Sequence, residues 1–265
     1  MDSEILQITT TASGVCRVTL NDQKRRNALS TSMLSDLTGV IQTASGDHAV
    51  RVIVIAAKGP AFSAGHDLKE IRAARDTDDK GRDAFTHMLT ACASLMQSIV
   101  NAPKPVIAEI AGVATAAGCQ LVASCDLAIA GEDARFATPG VNIGLFCSTP
   151  MVALSRNINN KQALEMLLTG DMIDARKAVD IGLVNRAVPN DQLTQCTMDL
   201  AEKIAAKSSK VLAIGKSAFY KQREMDLASA YEYTSKVMAE NMLNAQAEKG
   251  INAFLDKEKM DWSDD

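Results

Sequence analysis

Aromatic residues are scarce in this chain, at 4% of 265 positions, which leaves little material for stacking nucleic-acid bases. Basic residues are not in excess either. Lys and Arg number 28 against 32 Asp and Glu, a formal net charge of −4, so the electrostatic footprint of a nucleic-acid binder is missing. There are only three histidines (His48, His66, His87), and they lie far apart. The six cysteines (Cys16, Cys92, Cys119, Cys125, Cys147, Cys196) form no CxxC pair and follow no regular spacing, so no metal site is expected. Unpaired thiols fit a reducing cytoplasm. A basic-then-apolar leader is absent from the N-terminus, and no apolar run reaches the roughly 18 residues of a membrane span. These features lead to the expectation of a cytoplasmic protein with no membrane span.

What is present is enough to build a core. Hydrophobic residues make up 47% and charged residues 23%, an ordinary globular profile at a length that buries a core without metal or disulfide support. Residues 5–10 and 15–20 read as a hairpin turning at Ser13-Gly14, followed by a basic loop with Lys24, Arg25 and Arg26. Met33, Leu37, Val40 and Ala44 fall at helical spacing over 31–44. The continuous apolar runs 52–56 and 106–110 suit strands buried on both faces. A helix over 85–99 ends at Pro103 and Pro105. The charged segment 76–80 has little to bury and is expected to be a loose insert. Asp174 is a plausible N-cap for a helix over 175–181, with Gly182 as its stop. Beyond residue 190 only helices are expected, roughly 192–206, 209–222, 228–246 and 249–258. The chain is therefore divided into a core (1–190) and a helical C-terminal region (191–265).

Strand, small-residue loop and helix occur in order at 52–74 and again at 106–123, each loop carrying Ala-Gly (Ala64-Gly65, Ala117-Gly118). Repetition of this kind suggests an α/β coil of stacked turns, with a doubly wound sheet as the competing arrangement. The second unit stands out. Gly112, Ala114, Ala116, Ala117 and Gly118 crowd a strand-to-helix turn where a ligand or another backbone can come close. The following helix would aim its free N–H groups and positive dipole end at that point, a place for developing negative charge.

Several segments, in this order and spacing, resemble the crotonase superfamily of enoyl-CoA hydratases and isomerases. They are Lys24-Arg25-Arg26-Asn27-Ala28-Leu29, Ala61-Phe62-Ser63-Ala64-Gly65-His66-Asp67-Leu68, Pro105-Val106-Ile107-Ala108, Ala116-Ala117-Gly118-Cys119-Gln120, Leu168-Thr169-Gly170 and Gly250-Ile251-Asn252-Ala253-Phe254. Within that superfamily the wording over 114–126 and 136–150 is similar to the enoyl-CoA hydratase domain-containing protein 3 group. The resemblance implies a spiral of ββα turns followed by a C-terminal helical trimerisation region, and so a homotrimer or a dimer of trimers. It implies an acyl-CoA thioester ligand, with coenzyme A as part of the substrate and no separate cofactor. It also implies that the backbone N–H groups of His66 and Ala117 hold the thioester oxygen. Substrate and coenzyme A contacts carry over to Lys24, Arg25, Ala28, Ala64, Asp67, Leu68, Lys69, Gly140 and, from a neighbouring subunit, Lys257.

One departure bears on the chemistry. The two glutamates by which hydratases of this family move water and a proton correspond to Gln120 and Gly140, and a third acidic position used by some isomerases is Ser148. None is a carboxylate, and losing a positioned acid–base group costs about 10²–10⁴-fold in rate. Gln120 can orient a water but cannot take its proton. Three activities therefore compete: a hydratase/isomerase-type enzyme with altered chemistry, a decarboxylase of malonyl-type thioesters, and a non-catalytic acyl-CoA-binding protein. Some relatives that decarboxylate also lack the second glutamate and carry a histidine in the oxyanion loop. Other readings stay open at this stage. His66 acts through its side chain or its amide alone, Glu109 is a base or a structural ion-pair partner, and Asp67 is a base or a helix cap. Cys119, Cys125 and Cys147 are buried hydrophobes or nucleophiles. Asn142 and Ser148 bind substrate or hold a loop, and Lys24–Arg26 binds phosphate or is a solvated turn.

Overall fold

A computed structural model describes residues 5–262. Strands β1 (Leu6–Thr10) and β2 (Val15–Leu20) form the antiparallel hairpin, turning where Gly14 adopts φ +83°. A short 3-10 turn, Gln23–Arg25, leads to helix α1 (Thr31–Gly46), whose N-terminus is capped by the Ser30 side chain. The chain then winds. Strand β3 (Val52–Ala57) passes to β4 (Ala61–Ser63), then to α2 (Leu68–Ala74) and α3 (Arg82–Asn101). Next come β5 (Val106–Ile110), β6 (Val113–Thr115) and α4 (Ala117–Ser124). The third turn is β7 (Leu127–Gly131), β8 (Arg135–Ala137), α5 (Ser148–Asn157) and α6 (Asn160–Thr169). The two-residue β9 (Ile173–Asp174), α7 (Ala175–Asp180) and β10 (Arg186–Val188) close the coil.

The sheet order decides between the two arrangements left open by the sequence. One sheet runs β1-β2-β3-β5-β7-β10 and the other β4-β6-β8-β9. Each turn of the chain thus adds one parallel strand to each of two sheets, β3/β4, then β5/β6, then β7/β8. A doubly wound sheet would put all of them in one layer, so the chain is a spiral. The parallel strands β3 and β5 carry the unbroken apolar runs expected of strands covered on both faces. On one face Val15, Val52, Val54 and Ile107 meet Ala201 and Ala205, and on the other a large core spans α1, α3 and α4.

Helix α8 (Leu193–Ala205) supplies that first cover, and α9 (Ser209–Gln222), α10 (Leu227–Met242) and α11 (Ala245–Asp256) follow. Two polar ties hold this helical region to the spiral. Arg51 donates to the carbonyls of Ala205, Lys207 and Trp262, beside the start of β3. Lys216 of α9 meets Asp126 at 2.7 Å and donates to the carbonyls of Ile99 and Lys104, while Tyr220 donates to Asp126. Burial lowers the Lys216 ammonium and raises the Asp126 carboxyl from their ordinary values. Segment 76–80 is exposed but organised: Asp79 accepts from the N–H groups of Gly81 and Asp83 at the head of α3. No described helix is long and apolar enough to cross a membrane.

Candidate functional site

Three loops gather where β2, β3 and β4 end. In the first, Arg26 and Asn27 both take left-handed backbone conformations (φ 53° and 51°). Asn27 is fully buried, and its side-chain amide donates to the carbonyls of Lys58 and Ala61, fixing this loop to the β3–β4 connection. The second loop follows β4. Leu29 N–H donates to the Gly65 carbonyl at 2.7 Å, and Ala64 N–H donates to the Arg26 carbonyl at 3.1 Å. Leu29 and His66 pair as an isolated parallel bridge. Backbone alternation along such a bridge turns the His66 N–H away from Leu29. The third loop is Ala116-Ala117 at the head of α4, and it touches the second. A Cβ built on Gly65 would lie 2.9 Å from Ala116 Cβ, 3.0 Å from the Thr115 carbonyl oxygen and 3.3 Å from Ala117 N. Gly65 itself has φ +87°, which favours glycine. Gly118 seats α4 on β4, since a Cβ there would sit 2.3 Å from the Ser63 carbonyl oxygen.

The head of α4 has two unusual properties. Ala116 sits at φ 51°, ψ −119°, a conformation that costs an L-residue roughly 1–3 kcal/mol and that clusters at functional sites. No side chain caps the helix, although all eight of its residues are buried. The N–H groups of the first helical turn have no intrahelical acceptor. Ala117 is the first of these residues, and its nitrogen lies against Gly65 at the helix N-terminus. Neither the strain nor the missing cap could be read from the sequence, where Ala116-Ala117 looks like ordinary helix-forming material.

The His66 ring has its Nδ1 3.3 Å from the Leu29 carbonyl oxygen, which selects the Nδ1–H tautomer. Its Nε2 is buried with no hydrogen-bond partner among the described residues. Burial lowers its pKa, against smaller opposing effects of the Leu29 carbonyl and Glu70. Asp67 caps α2, accepting from Lys69 N–H at 2.8 Å. Glu109 is a structural partner: Arg17 contacts it at 2.6 Å and Thr194 donates to it. Arg25 bridges Asp22 at 2.6 Å and Asp67 at 3.7 Å, tying the first loop to the second. Ala28, Ala64 and Asp67 lie in these same loops, with Lys24, Leu68 and Lys69 exposed at their rim. Lys257 follows α11, whose Gly250 packs by the Trp262 ring. That segment is tied through Arg51 to the start of β3, the opposite end of the strand from the loops.

Gln120, one turn into α4, is buried and lines a cavity of about 800 Å³. Its Oε1 faces the Cys92 thiol at 3.9 Å. Gly140 is buried as well, and a Cβ there would lie 2.7 Å from the Leu145 carbonyl oxygen and 2.9 Å from Cys147 Sγ. The Cys147 thiol thus fills the space in front of Gly140. Burial pushes the Cys92 and Cys119 thiols up to about 12, and also raises Cys125 and Cys147, so all four are neutral at physiological pH. Ser148 is exposed at the start of α5 and donates to the Phe146 carbonyl at 3.4 Å. The far walls of the cavity, formed by α5 and α9, carried no sequence signal, because they come together only in three dimensions.

The sequence profile of the enoyl-CoA hydratase/isomerase family matches residues 10–265. The chain is 48% identical over 250 residues to the human enoyl-CoA hydratase domain-containing protein 3, mitochondrial, covering 94% of this chain and 81% of that one. The mouse protein of the same name is 47% identical over 250 residues, covering 94% and 82%. Among solved structures, an enoyl-CoA hydratase of Mycobacterium smegmatis superposes with a TM-score of 0.93 at 46% identity, over 97% of this chain and 98% of that one. The human enoyl-CoA hydratase domain-containing protein 3 superposes with a TM-score of 0.92 at 46% identity, over 97% and 100%. These relatives correct one expectation. The mammalian proteins are named as mitochondrial, so the cytoplasmic setting read from the sequence does not stand. Free buried thiols argue only against an oxidising compartment and do not separate one reducing compartment from another. With matching motifs, a matching two-sheet spiral and relatives along almost its whole length, the chain belongs to the enoyl-CoA hydratase/isomerase family, in the group of the enoyl-CoA hydratase domain-containing protein 3.

Proposed function

We propose that this chain binds acyl-CoA thioesters and polarises the thioester carbonyl between the main-chain N–H groups of His66 and Ala117, stabilising the enolate that forms when charge moves onto oxygen. The reading rests chiefly on the contact of the Gly65–His66 loop with the strained, uncapped head of α4. A donor aimed at a developing oxyanion in a site closed to water is worth roughly 3–4 kcal/mol. Coenzyme A would lie along the rim made by Lys24, Arg25, Ala28, Ala64, Asp67, Leu68 and Lys69, with Lys257 supplied by a neighbouring subunit. It enters as part of the substrate.

The proton chemistry differs from that of a hydratase with two glutamates. Gln120 orients the acyl group or a water without accepting a proton, and Gly140 and Ser148 add no base. Classical hydration is therefore expected to be slow, and reactions that reach an enolate without removing a proton, such as loss of carbon dioxide from a malonyl-type thioester, suit the site better. A homotrimer or a dimer of trimers is proposed as the working form. Helix α10 fully buries none of its 16 residues within one chain, and Leu243 and Phe254 are each 82% exposed.

The test is a panel of thioesters given to the purified protein: crotonyl-CoA, a 3-enoyl-CoA and methylmalonyl-CoA, with turnover and affinity both followed. Binding together with slow hydration and faster turnover of another member supports the reading. Tight binding without turnover of any member leaves a non-catalytic acyl-CoA binder. Hydration at the rate of glutamate-bearing relatives would show that Gln120 and Gly140 do not limit the chemistry.

A further inference from the structure

The cavity behind Gln120 has two unlike ends. It starts at Gln120, three residues along α4 from Ala117, which is about 4.5 Å of helix rise. Its middle is apolar, lined by Met96, Val100, Ala123, Val152, Ala153 and Ala213. Its far end carries Arg156, Lys221 and Arg223, with Glu224 as the one carboxylate in the lining. Among the described residues only Arg156 pairs with that carboxylate, at 3.6 Å. Lys221 lies over the Tyr233 ring at 4.8 Å, and Arg223 lies over the Phe219 ring at 5.6 Å and donates to the Arg156 carbonyl. Neither of these contacts cancels a charge, so the far end keeps an excess of two positive charges.

The direction of the cavity follows from α5. Its N-cap, Cys147, lies beside Gly140, and its last residue, Asn157, donates to the Ala123 carbonyl at the end of α4. From Val152, the first residue of α5 in the lining, to Arg156 the helix rises about 6 Å, the length of roughly five carbons of an extended chain. The cavity therefore leads from Gln120 along an apolar wall to a cluster of cations. A plain alkyl terminus gains nothing there, whereas an anionic one meets its counter-charge.

We propose that the cavity selects acyl-CoA thioesters whose distal end carries a carboxylate, that is, medium-chain dicarboxylic mono-thioesters. The inference rests on the acyl-CoA reading above and adds the chemical class of the acyl group. Binding of octanoyl-CoA and of the mono-CoA thioester of octanedioic acid, measured by titration calorimetry on the full chain, tests it. The dicarboxylic thioester is expected to bind about fivefold more tightly, consistent with partly exposed pairings to two cations, and the preference should shrink as salt rises. The ratio of the two affinities should fall to about one in the Lys221→Gln/Arg223→Gln double variant. It should rise in Glu224→Gln, which removes the competing carboxylate. All three side chains are exposed, so these variants leave the fold intact. Equal binding of the two thioesters by the unaltered protein, or a preference that survives the double variant, would overturn the proposal while leaving acyl-CoA binding in place. Failure of both thioesters to bind would remove the acyl-CoA reading and this one with it.

Discussion

Helices α4 and α10 are built on opposite plans. Helix α10 is self-sufficient at the local level: Asp226 caps it through the N–H groups of Ala228 and Ser229, and Glu232 pairs with Lys236 one turn on. Within one chain none of its residues is fully buried. Helix α4 buries all eight of its residues, has no side-chain cap, and begins after a residue in a costly backbone conformation. Packing holds it in place, helped at its end by the hydrogen bond from Asn157 to the Ala123 carbonyl. The contrast shows where each helix has interactions to spare. Helix α4 has main-chain donors left over, which suits a ligand. Helix α10 has an apolar face left over, which suits another copy of the chain.

Substitutions at four positions test this contrast. The largest effect is expected between the two extremes, at the cluster that seats α9 on the spiral. Lys216→Met leaves the Asp126 carboxylate buried without its cation and should lower unfolding free energy by about 3–5 kcal/mol. The Lys216→Met/Asp126→Asn double variant should recover part of that loss, and denaturant titration of both measures it. Next comes α4. Gly118→Ala forces a Cβ to 2.3 Å from the Ser63 carbonyl oxygen and should cost about 1–3 kcal/mol in the same titration, with loss of acyl-CoA affinity. If affinity survived, the seat of α4 on β4 would not define the site. On α10, where Tyr231 is 69% exposed, Tyr231→Glu should change monomer stability by less than about 0.5 kcal/mol while shifting sedimentation toward smaller species. A monomer before and after would mean that the apolar face serves something other than self-association.

The smallest effect is a pH slope. The folded-state pKa of His66 lies below its ordinary value of 6.5, chiefly through burial. Below that ordinary value the unfolded chain takes up a proton that the folded chain refuses, so stability is complete above it and falls as pH drops toward the folded value. The melting temperature of His66→Gln should therefore decline less than that of the unaltered protein between about pH 7.5 and about pH 5.5. Parallel declines would place the His66 ring in solvent.

The sequence and the structure agree best where local pattern dominates. The apolar runs at 52–56 and 106–110 are the strands β3 and β5, and α9 spans 209–222 as expected, because period and burial extend over enough residues to be read. Strands β4, β6 and β8 have three residues each, too few for any period, yet they make the second sheet and so the spiral. The site was legible as residue types: small residues at Ala116-Ala117-Gly118, a glycine before His66, and missing acids at 120 and 140. What could not be read was the conformation of Ala116, the thiol of Cys147 filling the space before Gly140, and the joining of Asp126 to Lys216 and Tyr220 some 90 residues later. These are properties of distant segments meeting, and they leave no local trace.

Two main-chain donors meeting at one oxygen would polarise a bound thioester carbonyl, and that carbonyl reports on them directly. Butyryl-CoA labelled with ¹³C at the thioester carbon has no double bond to hydrate and no carboxylate to lose. Isotope-edited infrared spectroscopy of its complex with the protein should place the carbonyl stretch well below its frequency in water. A stretch at the solution frequency, with the ligand demonstrably bound, would contradict donation from His66 and Ala117.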